Sequence, residues 1–185
     1  TEYPYAFTIR YEIRKGGKEL AVRVPGWSSS VTVRRGTDAG SMAEVSYKIE
    51  KGYLYLGTVE TGEIIELQLD DAPEFLYASP KIPDIQGCVA LQRGPLVYCF
   101  EGADNNGDIL SLAIDDSEPA EAEAFDPKLL NGVTRLKVKA FRKEIPEGLY
   151  SARKLKETPC TAYAVPYYSW GNRGLNEMRV WMTKH

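Results

Sequence analysis

An all-β fold, two tandem antiparallel β-sandwich domains of jelly-roll-like kind, is what this sequence predicts. Three observations carry the prediction. Apolar residues alternate with polar ones at period two through most of the chain, as in half-buried strands. Turn formers recur at short intervals between these runs. No succession of strand and helix patterns, the mark of a parallel α/β sheet, is present.

The elements follow in order. Phe7, Ile9, Tyr11 and Ile13 share one face of a first strand, with Thr8, Arg10, Glu12 and Arg14 on the other. Gly16-Gly17 supplies the positive φ angles of a tight hairpin. Leu20, Val22 and Val24 form the returning strand, stopped by Pro25-Gly26, and Val31 and Val33 open another. Residues 44–49 and 53–56 flank the turn Lys51-Gly52. A further turn at Glu60-Thr61-Gly62-Glu63 leads to Ile65, Leu67 and Leu69, which alternate with Glu66 and Gln68.

The pattern then breaks. Asp70-Asp71-Ala72-Pro73 ends the last strand, and Ser79-Pro80-Lys81-Ile82-Pro83-Asp84 is rich in turn formers. Proline fixes φ and lacks an amide donor, so this stretch is poor central sheet. A boundary is placed near residue 80, giving a first domain over 1–80, incomplete at its N-terminal side, and a second over 81–185. In the second, Val89-Ala90-Leu91, Leu96 to Phe100, Ile109 to Ile114, Val133 to Phe141, Cys160 to Val165 and Met178 to Met182 read as strands. Asp126-Pro127-Lys128-Leu129-Leu130 reads as one helical turn, capped by Asp126 and ended by Asn131-Gly132. Trp181 is expected to be buried on the closing strand, and Trp170 to anchor its loop by packing.

Composition narrows function. With 185 residues, 43% hydrophobic and 26% charged, the chain is long enough to bury a core and too apolar for disorder. A net charge of −3 gives no basic excess for a phosphate backbone, so nucleic acid is not an expected partner. Nor is a membrane, since no run of about 18 apolar residues occurs. No basic-then-apolar leader opens the chain and no initiator Met stands at Thr1, which reads as a processed or excised segment. Compartment stays open between periplasm and cytoplasm. The three cysteines, Cys88, Cys99 and Cys160, lack C-x-x-C spacing and read as reduced, buried thiols; a Cys88–Cys99 bridge across a hairpin is the alternative.

The sequence offers no set of catalytic, cofactor-binding or metal-ligating residues. A glycosidase needs two carboxyl groups flanking the scissile bond. Glu60, Glu63, Glu66, Asp70, Asp71, Asp104, Asp108 and Glu177 are available, but they fall in turns or on outward strand faces and read as solvated. The single histidine, His185, is the last residue, which removes a His-activated nucleophile from a structured site. Asp104-Asn105-Asn106-Gly107-Asp108 spaces oxygens as a calcium loop begins. Ile109 stands where that loop needs glycine and Asp115 where it needs glutamate, so a hairpin on Asn106-Gly107 is expected instead. The residues left for contact with a glycan or a neighbouring surface are Trp27, Tyr167, Tyr168, Trp170 and Arg173. Flat aromatics fit sugar C–H faces, but they also fill cores and interfaces. In Trp170-Gly171-Asn172-Arg173-Gly174 the glycines free the backbone, and Arg173 is placed to donate a fork of hydrogen bonds to carbonyls.

Several of these motifs together resemble the C-terminal part of glycoside hydrolase family 127, typified by β-L-arabinofuranosidases. They are Tyr3-Pro4, Val24-Pro25-Gly26-Trp27, Gly52-Tyr53-Leu54 leading to Gly62–Leu67, the run Val89–Cys99 with its Gly94-Pro95, Glu101 with Asp104-Asn105, and the block from Val165 to Trp181. The Gly94-Pro95 run and Asn172-Arg173-Gly174 are the specific ones. Val59 departs from the pattern, which usually has tryptophan there, and residues 104–125 match little. The resemblance implies a parent with an N-terminal (α/α)6 barrel carrying a zinc-bound cysteine nucleophile and a glutamate acid/base, followed by two β-sandwich domains. None of those catalytic residues or zinc ligands falls on this chain. The expectation is therefore a non-catalytic accessory region that supports the barrel of its own parent chain, with homodimer contacts as a further role. The rival is a carbohydrate-binding module using its exposed aromatics.

Overall fold

A computed structural model describes residues 2–185. The chain is all-β and antiparallel: three sheets and short 3-10 turns account for its regular structure, with no α-helix among the described residues. It divides into two compact units, one ending at Asp71 and one running Ala72–His185.

The first unit holds β1 (Thr8–Glu12), β2 (Lys18–Arg23), β3 (Val31–Gly36), β4 (Ala43–Glu44), β5 (Lys48–Glu50), β6 (Tyr53–Val59) and β7 (Ile64–Leu69). They form one sheet ordered β1-β7-β3-β4 and a second ordered β2-β6-β5. Alternation decides which side chains go inward. Ile65, Leu67 and Leu69 from β7, Val31 and Val33 from β3, and Leu54, Leu56 and Val59 from β6 join Phe7 in one buried cluster fed by both sheets. Period two would turn Thr58, not Val59, inward after Leu56. Gly57 removes the conflict: it takes φ +69°, and the β2–β6 register shifts between Leu20 and Ala21. That bulge adds one residue and returns Val59 to the core. The β5–β6 turn rests on Lys51 at φ 51° and Gly52 at φ 79°, the paired left-handed conformations that a two-residue hairpin loop needs.

The second unit contains β8 (Pro73–Tyr77), β9 (Cys88–Arg93), β10 (Leu96–Glu101), β11 (Leu112–Ile114), β12 (Glu121–Ala122), β13 (Leu136–Lys143), β14 (Glu157–Pro166), β15 (Met178–Arg179) and β16 (Met182–Thr183). β8, which precedes residue 80, pairs with β9 along its whole length. All nine strands belong to one sheet ordered β11-β13-β14-β10-β9-β16, with β12 on β13, β15 on β10 and β8 on β9. Its core draws Val89, Leu91, Tyr98, Phe100, Leu112, Ile114, Leu136, Val138, Ala140, Ala162, Ala164 and Met182 into one cluster. A flat sheet cannot bury one face against itself, so this one curls. Its ends meet where Ile114 bridges Lys184 and the His185 amide donates to the Ile114 carbonyl at 2.8 Å.

Several local expectations are corrected. Residues 126–132 form no helical turn. Asp126 Oδ1 does accept from the Lys128 amide, but Leu130, Asn131 and Gly132 all take positive φ and cannot continue a helix. Asp126 instead bridges Val133. Ile109–Ser111 is a 3-10 turn before the short β11. The last expected strand is split. Arg179 lies opposite Phe100 of β10 whereas Met182 lies opposite Val89 of β9, so the chain bends at Val180-Trp181 to change partner. Met182 is buried and Trp181 only half-buried.

Candidate functional site

The densest polar construction in the second unit lies at the end of β10 and under the loop before β15. Strand alternation and tight packing leave Glu101, the last residue of β10, with 0% exposure. The loop 167–177 folds over it. Tyr167–Ser169 makes a 3-10 turn stapled by the Ser169 hydroxyl on the Pro166 carbonyl at 2.7 Å. Gly171, at φ 78°, then turns its amide onto Glu101 Oε1 at 3.1 Å, a conformation costly for other residues.

Arg173 completes the site. Its Nη1 donates to Asp104 Oδ1 at 2.7 Å, and Nη2 donates to both Asp104 Oδ2 and Glu101 Oε2. The expected fork of hydrogen bonds exists, but it meets two carboxylates instead of carbonyls. Asn176 adds an amide at 3.4 Å to Glu101 Oε1. Burial works against the Glu101 charge, yet the hydrogen bonds from Arg173 and the Gly171 amide outweigh it and hold its carboxyl below the ordinary range. Arg173 is held above its ordinary range, first by its hydrogen bond to Asp104.

A second layer ties this knot to the sheet. Asn105 is buried; its amide donates to the Glu101 and Tyr163 carbonyls at 2.8 Å each, and its Oδ1 accepts from the Tyr163 amide at 2.8 Å. Arg142 on β13 donates to the Asn105 carbonyl at 2.5 Å and to Ser111 Oγ at 2.9 Å. Arg135 lies over the Tyr163 ring at 4.1 Å and pairs with Glu123 at 2.6 Å. Glu177 accepts from the Ile109 amide at 2.8 Å. Asp104 and Glu177 are therefore bonded parts of the fold, not freely solvated carboxylates. In the first unit the same correction applies to Glu63, which takes a two-pronged grip from Arg35 at 2.5 and 2.9 Å and is held below the ordinary range by it. The stretch 104–108 is no hairpin either: it leaves β10 and enters the Ile109–Ser111 turn through Asn106, Gly107 and Asp108, all at positive φ.

Of the five residues singled out in the sequence, four share this loop. Tyr167, Tyr168 and Trp170 are exposed at its surface, with the Tyr167 and Trp170 rings 6.3 Å apart and tilted by 37°, while Arg173 lies beneath. Trp170 does not anchor the loop by burial; Arg173 and Gly171 do. Trp27 is separate, in the first unit, half-buried with its ring edge-on to Phe7 at 5.6 Å and stacked near Tyr3 at 6.4 Å. Sequence reasoning missed Glu101 as a centre of the site, although its place at the end of an apolar strand run was the available signal.

The cysteines do not build a metal site. All three are free, and the β9–β10 register, with Tyr98 opposite Leu91, leaves Cys88 and Cys99 offset by two residues, so the alternative bridge is not made. Burial, with the Glu101 and Asp104 charges behind it, pushes the Cys99 thiol up to about 12, away from the thiolate a metal needs. Among the described residues no group of three or more His, Cys, Asp or Glu side chains converges as a metal would require. The donors present in this chain do not fit a zinc ion.

A curled antiparallel sheet with a buried carboxylate–guanidinium knot under one of its loops, together with a smaller two-sheet unit, makes this an all-β chain related to glycoside hydrolases. Residues 73–183 match the glycoside hydrolase family 127 C-terminal domain, and the chain belongs to that family. The non-reducing end beta-L-arabinofuranosidase of Bifidobacterium longum subsp. longum is 36% identical over 192 aligned residues, covering 97% of this chain and 28% of that enzyme. The crystal structure of a GH127 beta-L-arabinofuranosidase from Geobacillus stearothermophilus T6 superposes over 100% of this chain and 30% of its own, with a TM-score of 0.88 and 32% identity. Another GH127 beta-arabinofuranosidase gives 0.84 and 26% identity over 100% of this chain and 31% of its own. The chain thus spans under a third of the length of these relatives.

Proposed function

We propose that this chain is a non-catalytic, supporting C-terminal region of a longer family 127 glycoside hydrolase, packing against the catalytic part of its own parent and contributing to contacts between copies. The observation that carries this reading is the Glu101–Arg173–Asp104 knot. Two carboxylates gripped by one guanidinium have no open space between them for a glycosidic bond, whereas glycoside hydrolysis needs acid and base or nucleophile about 5–10 Å apart across the substrate. The knot spends its charges on fixing the loop 167–177, whose aromatic residues then face outward. Tandem jelly-roll-like sandwiches remain the finer fold reading: both sheets of the first unit feed one core, and the curl of the second sheet brings its halves together around another.

A second reading, glycan contact through Tyr167, Tyr168 and Trp170, draws support from their exposure, with Trp27 less suited because it packs on Phe7. The test is to assay the purified chain on aryl arabinofuranosides, alone and joined to its upstream coding sequence. Turnover only in the longer protein supports the supporting role. Turnover by the chain alone, lost on mutating one of its own carboxylates, overturns it.

A further inference from the structure

Two turns of the first unit meet in an aromatic ledge. The Glu2 carbonyl accepts from the Tyr5 and Ala6 amides at 3.0 and 3.2 Å and folds residues 2–6 into one turn, and the Ser28 amide closes the other on the Pro25 carbonyl at 3.1 Å. Phe7, buried in the core, is the base on which both rest. Its ring takes Tyr3 edge-on at 6.2 Å as well as Trp27, and the Tyr3 and Trp27 rings lie within 23° of parallel. Tyr3 still keeps 39% of its surface, and Trp27 is half-buried. Both turns are tied to the end of β7: the Leu69 amide donates to the Phe7 carbonyl at 3.0 Å, and the Asp70 amide to Ser28 Oγ at 3.0 Å. The ledge is thus held in place before anything meets it.

We propose that this ledge is where the first unit docks onto the part of the parent chain that precedes it. Given the supporting role proposed above, on which this rests, two observations choose the face and its occupant. The first is charge. Neither 3–7 nor 24–30 contains a charged residue; Glu2 and Arg23 bound these segments, and the Asp70 carboxylate beside them accepts from the Ser29 hydroxyl. A protein interface has a centre poor in charge and rich in Tyr and Trp. The other exposed aromatic face of this unit is interleaved with charge: Tyr53 and Tyr55 have Arg23, Glu50 and Lys48 as cross-strand neighbours. The second observation is position. Residues 73–183 match a C-terminal domain, and the chain spans under a third of its relatives, so most of the remaining length of such a protein precedes the first unit and joins it two residues before Tyr3. Linkage makes the encounter intramolecular, so a tethered partner needs little contact area to stay docked. The loop 167–172 is equally free of charge, but it belongs to the second unit, far along the chain from that join.

The experiment is hydrogen exchange, read by mass spectrometry, on this chain and on the protein joined to its upstream coding sequence. Peptides over 24–30 should exchange about tenfold or more slowly in the longer protein. They are the diagnostic ones, because an added chain upstream slows fraying at 2–7 by itself. Gly26→Arg supplies the contrast. Gly26 is exposed and a Cβ there meets no atom within 4 Å, so melting of this chain alone should stay near wild type. In the longer protein the added charge should return 24–30 to the rate seen in the chain alone, and the wild-type comparison stands whether or not that variant folds. Equal exchange of 24–30 at both lengths, or slow exchange that Gly26→Arg leaves unchanged, overturns the ledge. Slowing confined to another surface of this chain also overturns the ledge while leaving the supporting role in place, whereas no slowing anywhere overturns both. Slowing in the chain alone that grows with its concentration gives the ledge to a second copy and overturns the proposal.

Discussion

Arg173 and Glu101, 72 residues apart in sequence, form an ion pair in which the carboxylate has no exposed surface and the guanidinium side chain keeps 23% of its own. The cost of burying Glu101 charged is offset only because Arg173, the Gly171 amide and Asn176 supply donors together. Removing one partner leaves the other charge buried without its pair.

Arg173→Ala should therefore destabilise the second unit by about 3–5 kcal/mol, the range for breaking a buried pair. Arg173→Lys should restore only part of this, since a single ammonium cannot reproduce a fork that reaches Asp104 and Glu101 at once. Urea unfolding followed by tryptophan fluorescence measures both. A loss below about 1 kcal/mol for Arg173→Ala would place the pair among weak surface bridges.

The same pair sets an acid limit. Glu101 has a carboxyl pKa lowered in the folded chain, so its contribution is fully present above the unfolded carboxylate value of about 4.3. It is lost as pH falls from there through the lower folded value, because the unfolded chain takes up the proton first. Glu63 and Glu144, also lowered by their arginine partners, add to the slope. Melting temperature measured from pH 6 down to pH 3 should fall. Glu101→Gln should be less stable at pH 6 and show a shallower decline. A parallel decline in both proteins would exclude Glu101 as a contributor.

Local periodicity made much of the first unit legible. The faces of β1, β2, β3 and β7, and the Lys51-Gly52 turn, follow from alternation and glycine placement, which are properties of adjacent residues. The Gly57 bulge was not legible, because Gly-Thr-Val within a strand reads the same with or without an added residue until β2 is seen beside it. The site was half legible. Arg173 and its glycines signal a fixed loop, but the identity of their partners depends on a contact across 72 residues, and the only local mark on Glu101 is its place at the end of an apolar strand run. Residues 126–132 show the reverse error: Asp126 makes the side-chain bond of a cap, but the chain path after it forms no helix for it to cap.

The closing strand gives a stability test of that kind of error. Period two places Trp181 on an inward face, but the bend that moves the chain from β10 to β9 gives the buried position to Met182. Met182→Ala should cost about 2–5 kcal/mol, the range for truncating a buried large residue. Trp181→Ala, at a half-buried position, should cost less. Thermal melts of the two variants side by side decide the order, and a larger loss for Trp181 would restore the simple alternating strand.

Cys99 tests whether the face of β10 under the knot stays closed. It is fully buried on β10, which lies between β9 and β14, and burial pushes the thiol up to about 12, so almost none is thiolate at pH 8. Cys88 and Cys160 are only half-buried. A thiolate is the reactive form, and access is the second requirement. With a disulfide reagent such as DTNB at pH 8, Cys99 should remain unmodified in the folded chain while Cys88 and Cys160 react, and all three should react in denaturant. Peptide mapping of the modified sites assigns each cysteine. Arg173→Ala loosens the loop above Glu101, two residues along β10, and should make Cys99 react measurably faster. Equal protection of Cys99 in wild type and variant would mean that the curled sheet holds without the knot, and that Glu101, Asp104 and Arg173 serve only the loop.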